Sequence, residues 1–161
     1  MIKFITRLFA RALPELSEVK PRDAAAIAAL HGASFNRGWT EQEIEQLLLD
    51  RFVVAHRAAF GGRMAGFIIT RLVQGEAEIL SVAIAPARRR KGVGRRLLDL
   101  HLRRLAGLGA RVVVLEVDEN TVAARELYRR FGFNEAARRE GYYFGSAGNR
   151  STALVLRCNF P

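Results

Sequence analysis

The sequence predicts an α+β domain: a mixed, mostly antiparallel sheet with flanking helices and one parallel βαβ crossover. Three observations carry this. The β-branched, apolar runs "FVVAHRAAF", "MAGFIITRLV" and "AEILSVAIAP" follow one another with only Gly61-Gly62 and Gln74-Gly75 between them, the punctuation of an antiparallel meander. The third run is separated by the helix-period segment "GRRLLDLHLRRLAGLG" from "RVVVLEV", a continuous apolar strand of the kind buried beside a parallel neighbour. The chain has 161 residues, enough for one domain with a full core and no staples.

Each element follows from its residues in turn. In "MIKFITRLFARALP", Lys3, Arg7 and Arg11 recur every four residues opposite Ile2, Ile5, Leu8 and Phe9, and Pro14 stops the pattern. Residues 1–14 therefore read as a basic amphipathic extension, and 15–161 as the single domain. The extension lacks the apolar core and small-residue cleavage site of a secretory signal. A packed or frayed terminal helix is the favoured reading, beside a membrane-surface helix or an inter-subunit arm. "ELSEVKP" supplies a first strand. "RDAAAIAALHGASF" supplies a helix with Asp23 at its cap and Ile27, Leu30 and Ala33 on its apolar face; His31 within it reads as a satisfied structural histidine. "WTEQEIEQLLLD" carries a capping box, Thr40 with Glu43, and ends near Asp50.

After the meander, the helix "GRRLLDLHLRRLAGLG" has a stripe of Leu97, Leu98, Leu100, Leu102 and Leu105 and stops near Gly107 to Gly109. "TVAARELYRRFG" is a helix with Gly132 as its stop, and shorter strands around "FNEAARR" and "TALVLRCNF" close the chain. The predicted order is β, α, α, β, β, β, α, β, α, β, β.

Composition bounds the function. Lys and Arg number 26 against 16 Asp and Glu, a formal charge of +10 that favours anionic partners such as RNA, phosphates or acidic surfaces. No run reaches the roughly 18 apolar residues of a membrane-spanning helix. The lone Cys158 has no partner for a disulfide and no CxxC for zinc; it reads as a small apolar filler in a protein of the reducing cytoplasm, with no metal site.

The sharpest local feature is "RRRKGVGRRLL", Arg88 to Leu98. A dinucleotide fingerprint needs a third glycine where Leu97 stands, and no P-loop pattern occurs. What remains is a glycine-containing strand-to-helix turn, whose N–H groups at a helix N-terminus suit a phosphate that nearby cations neutralise.

Arg89-x-x-Gly92-x-Gly94, after a strand and before an amphipathic helix, resembles the acyl-CoA motif of the GNAT N-acetyltransferase superfamily. The resemblance runs from about Glu15 to the C-terminus. Through "FNRGWTEQEIEQLL", "SVAIAP", "LEV", "ELYRRFGF" and "GYY" the chain looks most like the bacterial ribosomal-protein alanine N-acetyltransferases. The resemblance implies the acyl-CoA N-acyltransferase fold, in which the strand before the glycine turn splays from its parallel neighbour. It implies acetyl-CoA as cosubstrate. Main-chain groups of Val82, Ala83 and Ile84 would hold the pantetheine arm and thioester, and Arg90, Lys91, Gly92, Val93, Gly94 and Arg95 the pyrophosphate. Arg88 and Arg89 either reach the 3′-phosphate or are solvated. Relatives usually carry an asparagine five residues after the strand glutamate; here Thr121 stands there with Asn120 before it, so helix cap and amide contact fall to these two.

Glu116 interrupts "VVVLEV" in phase with Val112 and Val114. A carboxylate in such a strand must be paired, wet or protonated. A salt bridge to one of the arginines is one reading; the other is a general base bordering the splay, tuned upward by partial burial. Tyr128, twelve residues later, reads alone as core-edge packing. By resemblance it is the acid that protonates the departing thiolate; a phenol near pKa 10 can serve a thiol near 8.5.

The implied reaction is direct transfer in a ternary complex. A protein N-terminus is the expected acceptor, by resemblance an alanine of a ribosomal protein, with Phe35, Trp39, Glu43, Tyr142 and Tyr143 flanking the groove. Each of these five has an ordinary capping or packing role as its alternative. The tail "GSAGNRSTALVL" lacks an acidic residue common in close relatives. A small-molecule amine acetyltransferase is the first alternative, and a non-catalytic RNA-binding module, with nucleic-acid contact through the outer arginines, the second.

Overall fold

Backbone φ is positive at Gly61 and Gly62 and again at Gln74 and Gly75, as two-residue hairpin turns demand. These turns join β2 (Val53–Phe60), β3 (Arg63–Val73) and β4 (Glu76–Ile84) into the expected antiparallel meander. The structure is a computed structural model that describes residues 12–144 and 148–161. Of the predicted N-terminal extension, residues 1–11 lie outside the described residues and 12–14 carry no regular secondary structure.

β1 (Glu15–Glu18) pairs with β2, and α1 (Ala24–Ser34) and α2 (Glu41–Leu49) intervene before the meander. After β4 come α3 (Val93–Gly107), β5 (Val112–Asp118), α4 (Val122–Arg130), β6 (Asn134–Phe144) and β7 (Arg150–Asn159). Among the described residues seven strands lie in the order β1-β2-β3-β4-β5-β7-β6, with β4 and β5 the one parallel pair.

Two cores sandwich this sheet. On one face Ile68, Ile79, Val113, Leu115, Leu154 and Leu156 of the strands pack with Val93, Leu97, Leu98, Leu102 and Leu105 of α3 and Tyr128 of α4. On the other face Phe67, Ile69 and Ala83 pack with Ala24 and Ile27 of α1 and Ile44 of α2. The middle of β3 is buried on both faces because α3 covers one side of the sheet and α1 and α2 the other, which is why its run shows no alternation. Cys158 is buried, consistent with its reading as filler.

Local expectations divide. Thr40 and Glu43 close the capping box reciprocally, at 3.1 and 2.8 Å. Asp23 sits at the start of α1 but does not cap it; its carboxylate takes the Lys20 N–H at 2.7 Å and pairs with Arg57 at 2.6 Å. The buried stripe of α1 is Ala24, Ile27 and His31, and Ala33 is exposed. His31 is the satisfied structural histidine expected: its Nδ1 accepts the Trp39 N–H at 3.0 Å and its ring stacks on the indole at 4.4 Å. In α3 the fully buried His101 joins the leucine stripe, while Leu100 lies at its edge. β6 is longer than the "FNEAARR" stretch and continues through Phe144.

Candidate active site

The parallel pairing of β4 with β5 ends early. Four pairs, Glu76 with Val112 through Ile79 with Leu115, hold the strands together. Beyond them β4 continues to Ile84 on β3, and β5 continues to Asp118 on β7. The parting coincides with a bulge: Ile69 faces Ser81 and Thr70 faces Ile79, so Leu80 is the extra residue that bends β4 away. From Leu80 onward the β4 main chain is paired only toward β3, which leaves polar backbone groups facing the gap. Val82 and Ile84 send their side chains to the α3–α4 core and Ala83 to the α1–α2 core. An apolar triplet thus anchors the strand while its backbone remains for a ligand.

The glycine turn lies at the far end of β4. Arg89 Nε donates to the Ile84 carbonyl at 2.9 Å, Lys91 Nζ donates to that of Ala87 at 2.9 Å, and Arg88 stacks on Phe60 at 4.1 Å. These three cations therefore brace the turn, while Arg88 and Arg89 both remain exposed to solvent. Arg90 and Gly92 both have positive φ, 57° and 81°. Gly92 is the first residue of the α3 cap, no side chain caps the helix, and a Cβ there would meet nothing within 4 Å. The N–H groups of Val93, Gly94 and Arg95 have no acceptor one turn back. Val93 buries its side chain while Arg95 is exposed. Open N–H groups beside exposed Arg90 and Arg95 suit a diphosphate.

Glu116 is the first β5 residue beyond the last pair with β4. Leu115 and Val117 face the α3–α4 core, so Glu116 faces the α1–α2 side. Its Oε1 pairs with Nη1 of Arg139 on β6 at 3.1 Å. The ion pair that the sequence allowed as an alternative is thus made, and Arg139 is a site residue that sequence reading missed. Tyr143 is close enough for the Glu116 carboxylate to act on it: burial first, and that negative charge second, hold its phenol above the ordinary range. Asn36 Nδ2 donates to the Phe144 carbonyl at 3.2 Å, tying the α1–α2 connection to the end of β6 on the same side.

Tyr128 is on the other face. It is buried in the α3–α4 core, edge-on to Phe133 at 5.6 Å, and burial raises its pKa to about 12. The carboxylate and the phenol therefore face opposite sides of the sheet. Asn120 and Thr121 lie in the turn between β5 and α4, both exposed. Thr121 takes the N-cap position, but its hydroxyl caps nothing. Asp118 shapes the turn instead, accepting the Asn120 N–H at 2.9 Å on its carboxylate and the Thr121 N–H at 2.9 Å on its carbonyl.

Residues 19–133 match the family model described as Acetyltransferase (GNAT) family. The chain belongs to the GNAT acetyltransferases. Within that family it is 30% identical over 141 residues to the ribosomal protein bS18-alanine N-acetyltransferase of Escherichia coli K12, covering 88% of this chain and 94% of that protein. The enzyme of the same description from Haemophilus influenzae is 36% identical over 96 residues, 60% of this chain and 65% of that protein. The crystal structure of the Escherichia coli ribosomal-protein-S18-alanine N-acetyltransferase superposes with a TM-score of 0.85 at 28% identity, covering 91% of this chain and 94% of that one. This GNAT protein is thus an N-acetyltransferase with the acyl-CoA N-acyltransferase fold, and the family's acyl donor is acetyl-CoA. The residues fit that donor: a strand gap with free main-chain groups leads to an open, glycine-started helix N-terminus of cationic surroundings.

Proposed function

We propose that this protein acetylates the N-terminal α-amine of a protein, with an N-terminal alanine of a ribosomal protein as the acceptor. The observation that carries this is the gap between β4 and β5, with a carboxylate facing the α1–α2 side and a phenol buried on the α3–α4 side. Acetyl-CoA supplies an activated acyl group. Val82, Ala83 and Ile84 hold the pantetheine arm through their main chain, and Arg90, Lys91, Gly92, Val93, Gly94 and Arg95 form the diphosphate end. Lys91 contributes through its backbone, because its side chain closes the turn. Asn120 and Thr121 border the same cleft.

The acceptor approaches from the α1–α2 side, where Glu116 takes its proton. Tyr128 holds its own proton on the α3–α4 side and donates it as the thiol group leaves. An α-amine near pKa 7.7–8.0 needs far less help to lose a proton than a lysine near 10.4, so one carboxylate suffices. Likeness to enzymes described as acting on alanine of protein bS18 supports the acceptor.

Mass spectrometry of acetyl transfer to three peptides tests it: one with free N-terminal alanine, one N-blocked with lysine, and one with another free N-terminus. Acetylation of the first alone is expected. Transfer to none, with acetyl-CoA still bound, would replace the protein acceptor by a small amine.

A further inference from the structure

Buried polar side chains in this domain are bonded, with one exception among the described residues. Asp23, His31, His56, Thr70 and His101 all have partners. Ser81 is 7% exposed, and its Oγ has none. Burying a hydroxyl with its hydrogen bonds unmade is costly, so such an atom in a well-formed fold calls for a partner from outside the chain.

The position of Ser81 narrows what that partner is. It directly follows Leu80, the bulged residue at which β4 leaves β5. Its cross-strand neighbour Ile69 belongs to the α1–α2 core, and directly paired residues face the same side of a sheet. Ser81 therefore faces the same side as Glu116, and both stand just beyond the Ile79–Leu115 pair. A bulge beside a reactive group re-aims a side chain. An ordered water needs two or more polar partners, and a hydroxyl and a carboxylate on one face of a strand gap provide them.

We propose that Ser81 is a positioning residue: its hydroxyl holds the water through which the acceptor amine passes its proton to Glu116. This rests on the acetyl-transfer reading. The amine nitrogen forms a bond to the thioester carbon, its proton moves through the water to the Glu116 carboxylate, and the carbon–sulfur bond breaks. The sulfur receives the Tyr128 proton, and both residues return to their starting states by exchange with solvent.

The test compares Ser81→Ala and Ser81→Cys with the parent on whichever amine the parent acetylates, so failure of the alanine assignment is visible in the parent and separate from this result. Ser81→Ala is expected to lower kcat about tenfold, with acetyl-CoA affinity unchanged and the thermal midpoint equal to or above the parent's, because no protein group loses a hydrogen bond. Ser81→Cys, a weaker donor of similar size, is expected to fall between. A parental kcat in Ser81→Ala overturns the proposal. So does a fall in kcat matched by losses of thermal midpoint and acetyl-CoA affinity, the pattern of a structural role.

Discussion

Glu116 and Tyr128 illustrate how far single residues can be read. A glutamate in a valine strand has to be compensated, and the alternation phase places it away from Val113 and Leu115; both inferences need only the sequence. Its partner could not be named, because Arg139 comes from β6 and reaches Glu116 across β7, a contact that no local pattern encodes. Tyr128 presents the opposite case. Its motif was legible, but its burial was not, and burial decides its titration. With a pKa raised to about 12, the phenol keeps its proton throughout the range in which an α-amine is free. The sign follows: kcat should show no loss attributable to Tyr128 as pH rises from 7 to 10. A downturn near pH 10 that disappears in Tyr128→Phe would contradict this.

At the scale of elements, hairpins and crossovers were legible where hydrophobic period and turn chemistry agree. The meander, the α3 crossover and the capping box of α2 all appear as read. β6 runs further than expected because it is an almost wholly exposed edge strand, without an apolar alternation to mark it. The insertion of β7 between β5 and β6 is a non-local pairing choice, equally silent in the sequence. Packing around the glycine turn yields a prediction at this scale. A Cβ on Gly94 would meet Ile84 and Leu127 side chains at 3.5 Å each, which is ordinary contact. Gly94→Ala should therefore retain acetyl-CoA binding. Gly94→Trp would drive α3 from the end of β4 and from α4, and binding measured by calorimetry should be lost. Undiminished binding by Gly94→Trp would remove the turn from the cofactor site.

The whole molecule carries a buried polar chain that the sequence reading overlooked. His56 of β2 and His101 of α3 approach at 2.7 Å between their Nδ1 atoms, and the Thr70 hydroxyl meets His101 Nε2 at 2.7 Å. Burial lowers the pKa of both histidines; His101, also opposed by His56, falls to about 3. The unfolded chain binds protons at these histidines near pH 6.5, while folded His101 refuses one until about pH 3. In that interval the unfolded state binds more protons, so stability is full above pH 6.5 and is lost as pH falls. Thermal midpoints should decline from pH 7 to 4.5 in the parent. His101→Asn should start lower and decline less steeply; an identical slope would acquit the histidines. The formal charge of +10 adds self-repulsion that grows on acidification in both proteins.

The central claim is that the gap between β4 and β5 is where an amine loses its proton to Glu116 and a thiolate gains one from Tyr128. Single-turnover acetyl transfer by Glu116→Gln and Tyr128→Phe, with acetyl-CoA affinity measured in parallel, tests this most directly. The account predicts parental affinity in both variants and a transfer rate reduced about a hundredfold or more, within the usual range for a positioned acid or base. Transfer at the parental rate in both would contradict it.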